Sequence, residues 1–146
     1  MEKLVQAHLV RDIMTHKVVT LYEEDNLIGV EKGMEHFKFR HLPVVDDGKL
    51  VGLVTHRDIL RVAASTLELG SATKTQHLLE SVFVRDVMQK DVVTAHEDTP
   101  LVDAGRIMWN NKMSCLPVIK EDGTLVGIVT EADFLKLAIA FLEAPR

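Results

Sequence analysis

The sequence predicts an α+β fold of two tandem β-α-β-β-α units packed pseudo-symmetrically through their sheets, and three observations carry that reading. Much of the chain is written twice: "VRDIM" (10–14) returns as "VRDVM" (84–88), "VVT" (18–20) as "VVT" (92–94), and "LPVV" (42–45) as "LPVI" (116–119), each 74 positions later. Each copy then places two apolar runs around an Asp-Gly pair, Asp47-Gly48 and Asp122-Gly123, which is a strong hairpin signal; one extra residue before the second pair moves the register to 75. Each hairpin finally runs into Gly-x-Val-Thr-x-x-Asp, as "GLVTHRDIL" (52–60) and "GIVTEADFL" (127–135), where a strand pattern gives way to a helical one. A unit of roughly 60 residues is marginal alone, so two are expected to share one globule.

Taken in order, "KVVTL" (17–21) is short and β-branched and reads as a strand. "DNLIGVEKGMEHFKF" (25–39) puts Leu27, Val30, Met34 and Phe37 on one side at helical spacing. Two strands follow in "HLPVVDDGKLVGLVT" (41–55), with Pro43 expected to begin an edge strand, where its missing N–H does no harm. "HRDILRVAASTLEL" (56–69) is a second helix, which Gly70 should stop, and "GSATKTQHLLES" (70–81) reads as a linker. In the second copy Thr99 is expected to cap a helix with Pro100 at its first position and Leu101, Ala104 and Met108 as its apolar stripe. Pro117 repeats the edge-strand role, and "FLKLAIAFLEA" (134–144) closes the chain. The implied division is a first unit in 1–69, a linker in 70–81 and a second unit in 82–146.

Composition narrows the function classes. The 146 residues are 47% hydrophobic, as in an ordinary globular protein, and no apolar stretch approaches the ~18 residues of a membrane span. The start "MEKLVQAHLVRD" lacks the apolar region of a secretory signal, and a lone Cys115 cannot form an internal disulfide, so a cytoplasmic address is expected. A net charge of −5 argues against a nucleic-acid binder. His36 and His41 are five apart, off the spacing that sets two ligands on one helical face, and no HExxH or cysteine pair occurs, so no metal site is expected. His56-Arg57-Asp58 is a local polar run whose three consecutive members cannot easily converge on one reacting atom, and no glycine-rich phosphate loop occurs, so an enzyme is not expected. Cys115, in "MSCLPV", reads as a buried, inert thiol; Met108, Trp109 and Met113 read as core or partner surface.

The doubled order of "VRDIM", "VVT" and "HLPVVDDGKLVGLVTHRDIL" resembles a tandem pair of CBS (cystathionine β-synthase) domains, the arrangement called a Bateman module, over about residues 8 to 140. The resemblance implies clefts between two units that bind adenosine-containing ligands, among them AMP, ADP, ATP and S-adenosylmethionine, and flat homodimers that regulate something else. No cofactor is required. Such modules usually act on a catalytic, transport or DNA-binding domain, which this chain has no room for, so an unidentified separate protein target is expected. The alternative is a constitutive dimerisation or scaffold module with empty clefts.

Thr55…Asp58 and Thr130…Asp133 have the form of a capping box, with Asp in place of the usual Glu or Gln. The resemblance gives them a second role: the Asp holds the ribose hydroxyls, the Thr lies beside the sugar or phosphate, and the backbone of the "VVT" segment reads the adenine edge. A carboxylate suits two vicinal donors. Carried over position by position, a basic cleft would combine Thr130 and Asp133 with Val19, Thr20, Lys38, Arg40, His41, Pro43 and Arg57. A second, weaker cleft would combine Thr55 and Asp58 with Val93, Thr94, Lys112, Ser114, Cys115, Pro117 and Ala132. Arg40 and Arg57 suit phosphate, which guanidinium matches bidentately. A homodimer is expected because the last helix of each copy is apolar over more of its circumference than one small sheet covers, with Leu135, Leu137, Ala138, Phe141 and Leu142 together; the N-terminal "KLVQAHLV" could instead cover that face.

Overall fold

The computed structural model describes residues 2–37, 39–65 and 72–145. Its elements run α1 (Glu2–Val5), a 3-10 turn (Val10–Asp12), α2 (Leu27–Phe37), β1 (His41–Asp46), β2 (Lys49–Thr55), α3 (His56–Ser65), α4 (Ala72–Ser81), α5 (Val84–Val87), α6 (Leu101–Asn110), β3 (Cys115–Ile119), β4 (Leu125–Thr130) and α7 (Glu131–Glu143). The α+β class stands: antiparallel hairpins β1–β2 and β3–β4, each with helices packed on it.

The compact units are not the sequence repeats. One is continuous, Val19–Val92; the other is split, Met1–Val18 with Val93–Arg146. The boundaries expected at 69 and 82 follow the repeat, whereas the contacts follow "VRDIM" and "VRDVM", each of which clasps the other copy's helix and hairpin. In the split unit the Val10 and Arg11 N–H groups donate to the Thr99 and Glu97 carbonyls, each at 2.9 Å, and Leu101 N–H donates to His8 at 2.8 Å. In the continuous unit Val84 N–H donates to Asp25 at 2.7 Å, Arg85 to Glu23 at 3.1 Å and Leu27 to Val82 at 3.1 Å. The clasp then pairs with the outer edge of the hairpin: Thr15 exchanges two bonds with Ile128 at 2.8 and 3.0 Å, and Gln89 two with Leu53 at 2.9 and 3.0 Å.

That crossing explains the glycine in each Gly-x-Val-Thr. A Cβ on Gly127 would lie 2.8 Å from the Thr15 carbonyl and 2.9 Å from Met14 Sδ; one on Gly52 would lie 2.5 Å from Met88 Sδ and 3.1 Å from the Gln89 carbonyl. The glycine is demanded by the close approach of another backbone.

The hairpins form as the Asp-Gly pairs dictate. Asp47 and Gly48 both adopt left-handed φ, 51° and 79°, the mark of a two-residue turn. The extra residue in the second copy makes a three-residue loop, closed by Gly123 N–H donating to Lys120 at 2.9 Å with Gly123 at φ 92°.

The strand expected at 17–21 survives only as a bridge, as does its counterpart. Leu21 N–H donates to Pro43 and Val45 N–H to Leu21, both at 2.9 Å; Ala95 does the same with Pro117 and Ile119, also at 2.9 Å. The next bond of a parallel ladder would need an N–H on Pro43 or Pro117, and neither has one. The prolines therefore do not begin edge strands: each lies within a strand that has neighbours on both sides, at a position facing Leu53 or Ile128, where the hairpin ladder needs no bond from it.

Helix α2 is capped by Asn26 Oδ1, which accepts the Gly29 N–H at 3.2 Å, and buries Leu27, Val30 and Met34; the Phe37 side chain lies outside the described residues. At α6 the cap shifts by one: Pro100 is the flanking residue, and Thr99 Oγ1 accepts the His96 N–H at 2.9 Å instead of a helix N–H. The segment read as a linker contains α4, anchored by Leu79, which is 2% exposed in the core of the continuous unit. A single buried leucine in a polar run leaves no periodic stripe to read. The stop expected at Gly70 lies outside the described residues.

Candidate ligand site

In the continuous unit β2 ends at Thr55 and α3 begins at once. Asp58 Oδ2 accepts the Thr55 N–H at 2.8 Å and its hydroxyl at 3.1 Å, and the side chain is 2% exposed. The acid reaches back as a capping box requires, while the Thr hydroxyl donates to the carboxylate. His56 N–H donates to the Arg40 carbonyl at 2.9 Å and His41 pairs with Thr55, so the loop before β1 is fastened to the first turn of α3. One edge thus brings together Arg40, His41 and His56, with Arg57 next in the chain, beside a hollow of about 290 Å³ lined by Glu31, Met34, Glu35, Phe39, Arg40 and His56. Lys38 lies outside the described residues.

The split unit repeats this frame with different chemistry. Asp133 Oδ2 accepts the Thr130 N–H at 2.9 Å and its hydroxyl at 3.3 Å, Glu131 N–H donates to Ser114 at 3.0 Å, and Cys115 pairs with Thr130. Register by register, Arg40 becomes Ser114, His41 becomes Cys115, His56 becomes Glu131 and Arg57 becomes Ala132. The groove beside it, about 680 Å³, is lined by Gly105, Met108, Trp109, Lys112, Met113, Glu131 and Phe134. Burial, with Glu131 nearby, pushes the Cys115 thiol up to about 12, so it is protonated at neutral pH and inert as a nucleophile.

Val19 and Thr20, with Val93 and Thr94, stand just upstream of the two bridges. Their peptide groups make no hydrogen bond among the described residues, because the prolines end the ladder there. The Val19 and Val93 side chains are themselves exposed.

Of the residues proposed for the basic cleft, the described Val19, Thr20, Arg40, His41, Pro43 and Arg57 belong to the continuous unit, and Thr130 and Asp133 to the split one. Of those proposed for the weaker cleft, Thr55 and Asp58 belong to the continuous unit, and Val93, Thr94, Lys112, Ser114, Cys115, Pro117 and Ala132 to the split one. Two features were missed from sequence: the His56 contribution to the basic edge, and Arg61, whose Nη1 meets Asp58 Oδ1 at 3.4 Å. The three-residue spacing of Asp58 and Arg61 on one helix was a readable signal for the second. Among the described residues no three His, Cys, Asp or Glu side chains form a metal-binding group, and no helix is long and apolar enough to cross a membrane.

Residues 10–65 and 84–140 each match the family described as CBS domain. The solved structure of protein MJ1225 from Methanocaldococcus jannaschii is 32% identical with a TM-score of 0.78, the match covering 88% of this chain and 46% of that one, so the chain spans about half of MJ1225. CBSX2, solved in complex with AMP, is 26% identical with a TM-score of 0.78 over 94% of this chain and 100% of its own. The CBS domain pair of MJ0100, solved in complex with 5′-methylthioadenosine and S-adenosyl-L-methionine, is 30% identical with a TM-score of 0.71 over 89% and 98% of the two chains.

Proposed function

Because the chain belongs to the CBS domain family and carries that domain twice, we propose that it is a regulatory module that binds an adenine nucleotide or a related adenosyl compound and passes its occupancy to a separate protein in the cytoplasm. The observation that carries this reading is the pair of backbone stretches at Val19–Thr20 and Val93–Thr94 whose peptide groups make no hydrogen bond among the described residues. Adenine's amino group is a donor and its ring nitrogen N1 an acceptor, so a free peptide C=O and N–H can read that edge together.

In this reading Asp133 and Thr130 hold the ribose of a nucleotide whose base lies on Val19–Thr20, near Pro43, and whose phosphate lies among Lys38, Arg40, His41 and Arg57. The Asp58 copy, with Thr55, Val93, Thr94, Lys112, Ser114, Cys115, Pro117 and Ala132, faces less positive charge and is the weaker site. AMP, ADP, ATP and S-adenosylmethionine are the ligand candidates, and phosphate-bearing ones suit the arginines best. Catalysis is not part of the proposal: Asp58 is engaged by Thr55 and Arg61, and Cys115 is a buried, protonated thiol. Binding would act by differential affinity for two arrangements of the protein.

Thermal unfolding tests this directly. A nucleotide at about a hundred times its Kd should add roughly 2.7 kcal/mol and raise Tm by about 5–10 °C. No rise with millimolar AMP, ATP or S-adenosylmethionine would leave the scaffold reading in its place.

A homodimer belongs to the same proposal. Helix α1 packs on α7, yet Leu135 and Leu142 remain 62% and 72% exposed, with Ile139 and Phe141 also open. The N-terminal segment therefore covers only part of that face, and the remainder is apolar surface of the kind that marks an interface. Light scattering at micromolar concentration should give twice the 16.4 kDa chain mass; a monomer would remove the dimer.

A further inference from the structure

The two copies of Thr-x-x-Asp are in different states, and one side chain separates them. Both Asp58 and Asp133 spend Oδ2 on the N–H and hydroxyl of their threonine. Asp58 Oδ1, however, also accepts a hydrogen bond from Arg61 Nη1 at 3.4 Å, and the aspartate is 2% exposed while the arginine is 76% exposed. At the place of Arg61 the second copy has Lys136, and among the described residues no ion pair joins it to Asp133.

The chemistry accounts for the difference. Arginine presents a planar fork of donors that matches a carboxylate and is weakly hydrated, so at three residues' spacing on a helix it can reach back and stay. A lysine ammonium is a compact, strongly hydrated point charge on a flexible stem and holds such a partner less readily. A sugar diol approaching Asp58 needs the lone pairs that Arg61 already uses, and it must displace a cation to take them.

Resting on the ribose-binding reading above, we propose that Arg61 is a specificity-determining residue: it occupies the Asp58 carboxylate from within α3, is what makes that copy of the motif the weaker one for a ribose, and leaves the chain with one tight nucleotide site. Arg61 is mostly exposed and lies outside the core, so its removal should leave the fold intact.

Calorimetric titration of the full chain with AMP tests it. The unaltered protein should bind one AMP per chain, and Arg61→Ala should bind two, the second lost again in Arg61→Ala/Asp58→Asn. Arg61→Lys, which imitates the second copy, should also bind two. In the reverse direction Lys136→Arg should weaken the original site by about tenfold, because it places on Asp133 the occupant that Asp58 now has. If Arg61→Ala and Arg61→Lys, folded by circular dichroism, still bind one AMP with unchanged affinity, the role of Arg61 is overturned while the ribose reading stands. If the unaltered chain already binds two AMP with equal affinity, the role is likewise overturned. If neither it nor the variants bind AMP, the ribose reading falls and this inference with it.

Discussion

Asp133→Ala is expected to weaken AMP binding tenfold or more, and Arg57→Ala to do the same, whereas Asp58→Ala should change it by less than about twofold. Each of the first two removes one or two hydrogen bonds to a charged group, worth ~1.5 to 3 kcal/mol apiece, and every 1.4 kcal/mol is a factor of about ten in Kd. Asp58 differs because Thr55 and Arg61 already take up both of its oxygens, while Asp133 Oδ1 has no hydrogen-bond partner among the described residues. Losing Asp133 also removes the bonds to Thr130 at the start of α7, so the variant should lose some stability, as cap removals do, by about 0.5–2 kcal/mol. Titration well below the variant's Tm separates the two effects. Abolished binding in Asp58→Ala with intact binding in Asp133→Ala would reverse the assignment of the two copies.

The second large effect concerns the clasp. Gly127→Ala should destabilise the protein by about 1–3 kcal/mol and lower Tm by roughly 4–10 °C, because the added Cβ would sit 2.8 Å from the Thr15 carbonyl and 2.9 Å from Met14 Sδ. A methionine side chain can move aside, but Thr15 is held by two bonds to Ile128 and cannot withdraw without giving them up. Gly52→Ala should cost less, its nearest neighbours being the Sδ and Cγ of Met88, with backbone only at 3.1 Å. Gly33→Ala, inside α2 with nothing within 4 Å of a new Cβ, should reverse the sign and stabilise by about 0.5–1 kcal/mol. Calorimetric or circular-dichroism melts of the three variants decide it. A Gly127→Ala protein as stable as the unaltered one would mean that the N-terminal segment does not lie against β4 in solution.

That clasp also shows where local pattern stops being informative. The repeat, the Asp-Gly hairpins, the helix stripes through Leu27, Val30 and Met34 or Leu101, Ala104 and Met108, and the acid that reaches back to each threonine are properties of neighbouring residues, because periodicity and turn chemistry act within a few positions of the chain. They were sufficient for the fold class, the family and the two Thr-x-x-Asp motifs. Other features depend on which segments meet from well beyond one turn or one helix of the chain, and no local pattern encodes that. "VRDIM" looks like the start of the first copy yet completes the second copy's sheet, and Gly127 is required only because Thr15 arrives there. The strand expected at 17–21 shrinks to a bridge at Leu21 because the next bond, toward Val19, would need an N–H on Pro43. The buried anchor Leu79 hides in a polar run since one contact leaves no period. At the site the same division holds: the sequence alone determined that two aspartates begin two helices, whereas tertiary structure decided that Arg40 and His41 meet the start of α3 through the bond from His56 to Arg40 and the pairing of His41 with Thr55, and that the Asp58 carboxylate is buried with Arg61 upon it. The physical reason is that helix caps are local hydrogen bonds, while the charge and accessibility of a site are sums over everything the folded chain brings near it.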